Sequence, residues 1–165
     1  MSPAEEIKAA LVFLRRISHC AGFGIQSPTD YAFVREVIYE RGRYSRYADL
    51  DAAFLGAGRM ERKLARLLLR VSNHAQASDI AVQDGMPEIL RCALRLGCGK
   101  SRLLRYRRDA GPAPLTVFHD IRKAGREEWE VMISQQHVVA YDLHYIGLAF
   151  YQEKRYSESY KINFY

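Results

Sequence analysis

The sequence predicts an α/β domain, with helices layered on a sheet and a helical segment in front of it. Two stretches carry that expectation. Residues 115–151, LTVFHDIRKAGREEWEVMISQQHVVAYDLHYIGLAFY, read as strand, helix and two adjacent strands. Residues 77–83, ASDIAVQ, add an earlier strand that runs through Asp84-Gly85 into a helix opened by Pro87. The run 115–118 is too short for a helix and rich in branched and aromatic side chains, as a buried strand requires. Residues 123–135 set Trp129, Met132 and Ile133 on one helical face, with Glu127, Glu128 and Glu130 mostly off it. Residues 138–143 and 147–151 are the two closing strands.

Taken from the N-terminus, Ser2-Pro3-Ala4-Glu5 is a helix start, with a capping serine, proline at the first helical position and an acid to complete the box. Ile7, Leu11, Leu14 and Ile17 line one face of this helix, and Gly22 and Gly24 supply the positive φ of a tight turn. Ser27-Pro28 repeats the start signal, with Asp30 in the first turn and Tyr31, Val34, Val37 and Ile38 as the apolar face of a helix reaching Gly42. Residues 41–47 read as a basic, tyrosine-rich connector, and Leu50 and Phe54 as a short helix stopped at Gly56. Residues 62–71 form an amphipathic helix with Leu64, Leu67, Leu68 and Val71 inward and Arg59, Arg62, Lys63, Arg66 and Arg70 outward. Its basic face is either a solvated surface or an anion-binding one. Ile89, Leu90, Ala93 and Leu94 are the buried face of the helix after Pro87, which ends at Gly97; Leu103-Leu104 suggest a further strand, and residues 107–114 a loop.

At 165 residues, with 48% hydrophobic and 27% charged side chains, the chain is long enough for a real core and too apolar to be disordered. The net charge of +6 favours contact with phosphates or other anions, nucleic acid included. No run of eighteen apolar residues is present and residues 1–8 lack signal-peptide character, so a cytoplasmic protein without a membrane partner is expected. Cys20, Cys92 and Cys98 are spaced unlike a zinc pair and are expected to be reduced thiols.

Residues 22–38, GFGIQSPTDYAFVREVI, resemble the GHGIHSPFVYxFVxEVI segment of a bacterial subgroup of class I S-adenosylmethionine-dependent methyltransferases. The strand end His119-Asp120-Ile121, Trp129 and the run 142–151, DLHYIGLAFY, resemble the last strands of the same subgroup. The resemblance implies a reduced Rossmann-like, methyltransferase-like sheet over residues 60–165 and a helical extension over residues 1–59. It also marks departures. Phe23 and Gln26 stand where the subgroup often carries histidine. Relatives show ILELGTSxG at the first strand; with Ile80 aligned to its start, Val82 replaces the acid and Asp84 the glycine. Shifting by two puts Asp84 on the acid but Met86 on the glycine. The ribose-gripping acid of the next strand is replaced by Arg105-Tyr106-Arg107-Arg108.

The full seven-stranded core needs roughly 150 residues, more than lie beyond residue 59, and the shortfall falls between Tyr106 and Leu115. Because a gap in a sheet leaves backbone groups unpaired, residues 80–83 are expected to pair directly and in parallel with 115–118. Asp84, Gly85, His119 and Asp120 would then lie together as a residual pocket. The expected function is that of a degenerate methyltransferase homologue without catalysis, acting by binding and holding no cofactor. An active methyltransferase with an atypical S-adenosylmethionine site is one alternative. The other is a basic nucleic-acid or phosphate-binding module built on Arg102, Arg105, Arg107 and Arg108, the densest part of a block that begins at Arg91. Such a block also suits a charged edge strand. Lys100-Ser101 lacks the glycine spacing of a phosphate loop, and one carboxylate beside His119 is too few ligands for a metal site.

Overall fold

In the computed structural model, which describes residues 3–42 and 44–164 (side chains of 3–6, 8 and 9 excepted), six strands make one mixed sheet. They are Asp79–Val82 (β1), Arg102–Arg105 (β2), Leu115–His119 (β3), Val138–Asp142 (β4), Ile146–Tyr151 (β5) and Glu158–Lys161 (β6), in the order β2-β1-β3-β5-β4-β6. β1 pairs in parallel with β3, Ile80 opposite Leu115 and Val82 opposite Val117, so the sheet closes over the short connection as expected. β1 is also parallel to β2 and β4 to β6, while β5 runs antiparallel between β3 and β4. Five of the six described strands therefore point one way, and their carboxyl ends form a single rim. This is a Rossmann-like layout, and open sheets of that kind bind ligands outside such a rim.

The helices are Pro3–Arg15 (α1), Pro28–Phe33 (α2), Arg46–Ala53 (α3), Arg59–Ala75 (α4), Glu88–Gly97 (α5) and Arg126–Ile133 (α6). The central strands read as near-continuous apolar runs because both sheet faces are covered. One face carries α4 and α5, with Leu64, Leu67, Leu68, Ile89, Leu90 and Leu94 packed on Ile80, Leu115 and Val117; Phe33, Val37, Ile38 and Leu50 from the N-terminal helices join the same core. Gly97 lets α5 lie directly on α4: a Cβ there would run into the Leu69 carbonyl and Ser72. The other face packs Phe118, Val138, Ala140 and Ala149 under Trp129 and Met132 of α6. A Cβ on Gly147 would lie 2.6 Å from the Trp129 ring, so that indole packs directly against bare backbone.

The structure departs from the expected elements in places, and one expectation falls outside the described residues. The cap assigned to Ser2 lies outside the described residues, and Ile7 and Leu14 of α1 are 62% and 61% exposed, so that apolar stripe is uncovered among the described residues. The helix begun at Ser27, whose Oγ accepts the Asp30 N–H at 3.4 Å, widens over Val34–Ile38 and stops short of Gly42; the Tyr39 N–H reaches back five residues to the Val34 carbonyl. Arg70 is buried, not outward, because its guanidinium donates to the Val37 and Ile38 carbonyls at 2.7 and 3.1 Å. β6 was not expected: four mostly exposed polar residues on an outer edge carry little strand signal. No described helix is long and apolar enough to cross a membrane, and all three cysteines are free thiols.

Candidate functional site

The rim of such a sheet is where ligands bind, and here its centre is filled. β1 continues into Gln83, whose N–H donates to the Val117 carbonyl at 3.1 Å and whose side chain is buried between the strand ends. Its Oε1 accepts the His119 N–H at 2.8 Å. The loop after β3 folds over this amide: Asp120 takes a positive φ of 51°, and the Gly125 N–H returns to the Asp120 carbonyl at 3.2 Å. Gly125 lies so close that a Cβ would stand 2.6 Å from the His119 carbonyl and 2.7 Å from Gln83 Oε1. A glutamine amide thus occupies the crevice between β1 and β3.

Of the four residues expected to line a residual pocket, Asp84 and Gly85 sit exposed on the turn after β1, with Gly85 at φ 72°. The Asp84 carboxylate turns sideways to Arg105 at 2.8 Å. His119 and Asp120 are half-buried at the end of β3. Burial holds the His119 imidazole below its ordinary pKa, partly opposed by the Asp120 and Glu61 charges. None of these four residues lines the largest cleft described below. Among the described residues no group of three or more His, Cys, Asp or Glu side chains is arranged for a metal ion.

The arginine block lies on β2, an edge strand, and on the loop after it. Each of its four arginines faces a carboxylate: Arg102 to Asp79 at 2.7 Å, Arg105 to Asp84 at 2.8 Å, Arg107 to Asp109 and Arg108 to Glu127, both at 3.1 Å. All four arginines are well exposed, where such pairs contribute about 0–1 kcal/mol each.

Elsewhere, two buried carboxylates, Asp142 at the rim and Asp30 on α2, fasten the N-terminal segment to the sheet. Asp142, at the end of β4, accepts Arg16 Nη2 at 2.7 Å and the His144 N–H at 2.8 Å, and also pairs with Arg122. Arg16 Nη1 donates to the Asp142 and Ile162 carbonyls at 3.0 Å. Burial would raise the Asp142 pKa, but Arg16 and then Arg122 outweigh it and hold the carboxyl below its usual range. Asp30 accepts Arg155 at 2.5 and 2.8 Å, Tyr141 at 2.8 Å and Tyr160 at 3.0 Å. Burial opposes ionisation there too, yet Arg155 and the two phenols bring its pKa to about 2.

The largest cleft described, ≈ 620 Å³, lies where α4 meets the segment after α2 and the chain beyond β6. Among the described residues it is lined by Arg41, Arg59, Arg62, Lys63, Arg66 and Arg70, against one carboxylate, Glu40, which accepts the Gly42 N–H. Phe164 forms part of its wall, with the Lys63 Nζ 4.6 Å from the ring centroid and 3.3 Å from the Phe164 carbonyl. The Tyr39 hydroxyl donates to the Asn163 carbonyl, fixing the same wall from the other side. Burial, then the charges of Arg59 and Arg70, lower the Lys63 pKa. The spacing of Arg59, Arg62, Lys63, Arg66 and Arg70 was visible in the sequence, but Arg41, Glu40 and Phe164 join it only through the fold. Set against family models, curated proteins and solved structures, the chain finds no match in any of the three comparisons.

Proposed function

We propose that this chain is a non-catalytic, methyltransferase-like protein that acts by binding. The observation that carries the reading is the Gln83 side chain in the β1–β3 crevice, hydrogen-bonded to His119 and roofed by Gly125. A Rossmann-like cofactor site needs backbone that a ligand can approach closely at that crevice, and an acid facing it. Here the approach is taken by protein atoms, and the acid that follows β1, Asp84, is exposed and engaged by Arg105. Loss of charged hydrogen bonds worth about 1.5–3 kcal/mol each weakens binding roughly ten- to a hundred-fold apiece. The resemblance at residues 22–38 and 142–151 supports the methyltransferase-like part of the reading, and the parallel β2-β1-β3 unit is consistent with it.

Isothermal titration with S-adenosylmethionine and S-adenosylhomocysteine tests the proposal. The expected result is no binding tighter than about 100 μM, two missing carboxylate contacts being enough to remove micromolar affinity. A low-micromolar isotherm for either ligand would restore the active-enzyme alternative.

A further inference from the structure

The geometry points to the cleft between α4, residues 38–41 and Phe164 as a binding site for a small anion carrying two or more linked phosphates. This supplies a ligand class for the binding role proposed above, through residues that take no part in the β1–β3 crevice.

Three observations converge. The first is unrelieved charge. Of the six cations, Arg66 pairs with Asp51, while the side chains of Arg41 and Arg59 make no hydrogen bond or ion pair among the described residues. With Glu40 already holding the Gly42 N–H, the described residues of the cleft keep a positive excess. Each terminal phosphate brings about −1.5 to −2 charges, so one phosphate cannot neutralise that excess and a linked pair or trio can.

The second is preorganisation. Arg62 is aimed by the Ala57 and Leu55 carbonyls, at 2.9 and 2.8 Å, and Arg70 by Val37 and Ile38. Cations held by neutral carbonyls keep their full charge for a ligand, and their ordering is complete before binding. Arg70, buried and bonded to protein oxygens, contributes mainly its field, whereas the exposed Arg41 and Arg59 can form the forked contacts that phosphate oxygens accept.

The third is position. Phe164 follows β6 at its carboxyl end, and Arg59, the first residue of α4, lies across the cleft from it. The cleft therefore lies beside the rim where open α/β sheets receive ligands. Its volume of ≈ 620 Å³ is that of a small-molecule site, which typically measures about 300–1,000 Å³. A nucleic-acid strand would need a longer basic track, and the block that could extend it, on β2, is matched arginine for carboxylate.

The test uses the full chain titrated with inorganic tripolyphosphate at low salt. Orthophosphate, adenosine triphosphate and a single-stranded oligonucleotide serve as parallel arms. Micromolar binding of tripolyphosphate is expected, at least thirty-fold tighter than orthophosphate and falling steeply as salt rises. The double variant Arg41→Glu/Arg59→Glu, both exposed positions, should lose that binding by at least thirty-fold, while Arg105→Glu/Arg107→Glu stays within about three-fold of the native chain, as exposed paired charges should. Equal affinity for the two triphosphates makes the phosphate chain the recognised group; tighter binding of the nucleotide adds its nucleoside to the ligand. Orthophosphate binding as well as tripolyphosphate, or unchanged affinity in the Arg41/Arg59 variant, overturns the inference. So does an oligonucleotide that binds more tightly than tripolyphosphate and is weakened through Arg105 and Arg107. S-adenosylmethionine binding alongside tripolyphosphate binding would remove the non-catalytic reading and leave this site standing.

Discussion

The two basic regions of this protein are close in arginine density and opposite in physical state. On β2 and its following loop, Arg102, Arg105, Arg107 and Arg108 stand on an exposed edge, each beside a carboxylate. Along α4, Arg59, Arg62 and Lys63 face inward on a cleft with backbone carbonyls, an aromatic ring and further cations for company. The difference teaches that the location of the counter-charges, not the count of arginines, separates a solubilising edge from a binding surface. Edge strands benefit from charge because it discourages pairing with another sheet. A cleft that keeps its charge gains nothing from it until an anion arrives.

The comparison breaks first where counter-charge is buried. Asp142→Ala would strand Arg16, whose side chain is only 9% exposed, and should lower unfolding stability by about 3–5 kcal/mol in urea titrations. A loss below about 1 kcal/mol would mean that Arg16 finds water, and that burial does not set the worth of these pairs. Asp30 carries the same argument into pH. Its folded pKa, about 2, lies below the ordinary 3.8, so its contribution is complete above the ordinary value and disappears as pH falls through the folded one. Acid titration of the native chain against Asp30→Asn should show their stability difference shrinking between those two values; a difference independent of pH there would count against an ionised Asp30.

A smaller effect belongs to the filled crevice. Gly125→Ala would drive a methyl against the His119 carbonyl and the Gln83 amide, and overpacking of that kind costs about 1–3 kcal/mol. Thermal unfolding that leaves this variant as stable as the native chain would show the crevice to be open enough to admit a ligand.

Smaller still is the self-repulsion of the cleft. Burial and the neighbouring arginines disfavour the charged form of Lys63, so the resulting destabilisation is fully present below its lowered pKa. It is relieved as pH rises through that value toward the ordinary 10.5. Native stability should therefore gain on that of Lys63→Met across this alkaline window. The opposite trend would mean that Lys63 is stabilised by its surroundings. The least effect is expected on the edge strand, where Arg105→Ala should change stability by no more than about 0.5 kcal/mol. A loss of several times that would make the β2 pairs structural.

Much of the architecture was legible because it depends on local spacing. Runs such as 115–118 and 138–143 are strands in any compact setting, and Pro28, Pro87 and the leucines of α4 mark helices by capping and periodicity. The direct β1–β3 pairing followed from length, since unpaired strand edges are too costly to leave inside a sheet. What only the tertiary structure decided are the partners of polar side chains. Asp30 looked like a helix-start acid and is a buried anchor for Arg155, Tyr141 and Tyr160; Arg70 looked solvated and is buried against carbonyls. Gln83 gave no sign of filling the crevice. Nor did Arg41 and Phe164 announce that they share a cleft with α4. The physical reason is the range of the interactions. Backbone propensity and apolar periodicity act over a few neighbouring residues, so they are written along the chain. A charge or an amide is satisfied by whichever group the fold brings within about 3 Å, and for Asp30 that group comes from the far end of the sequence.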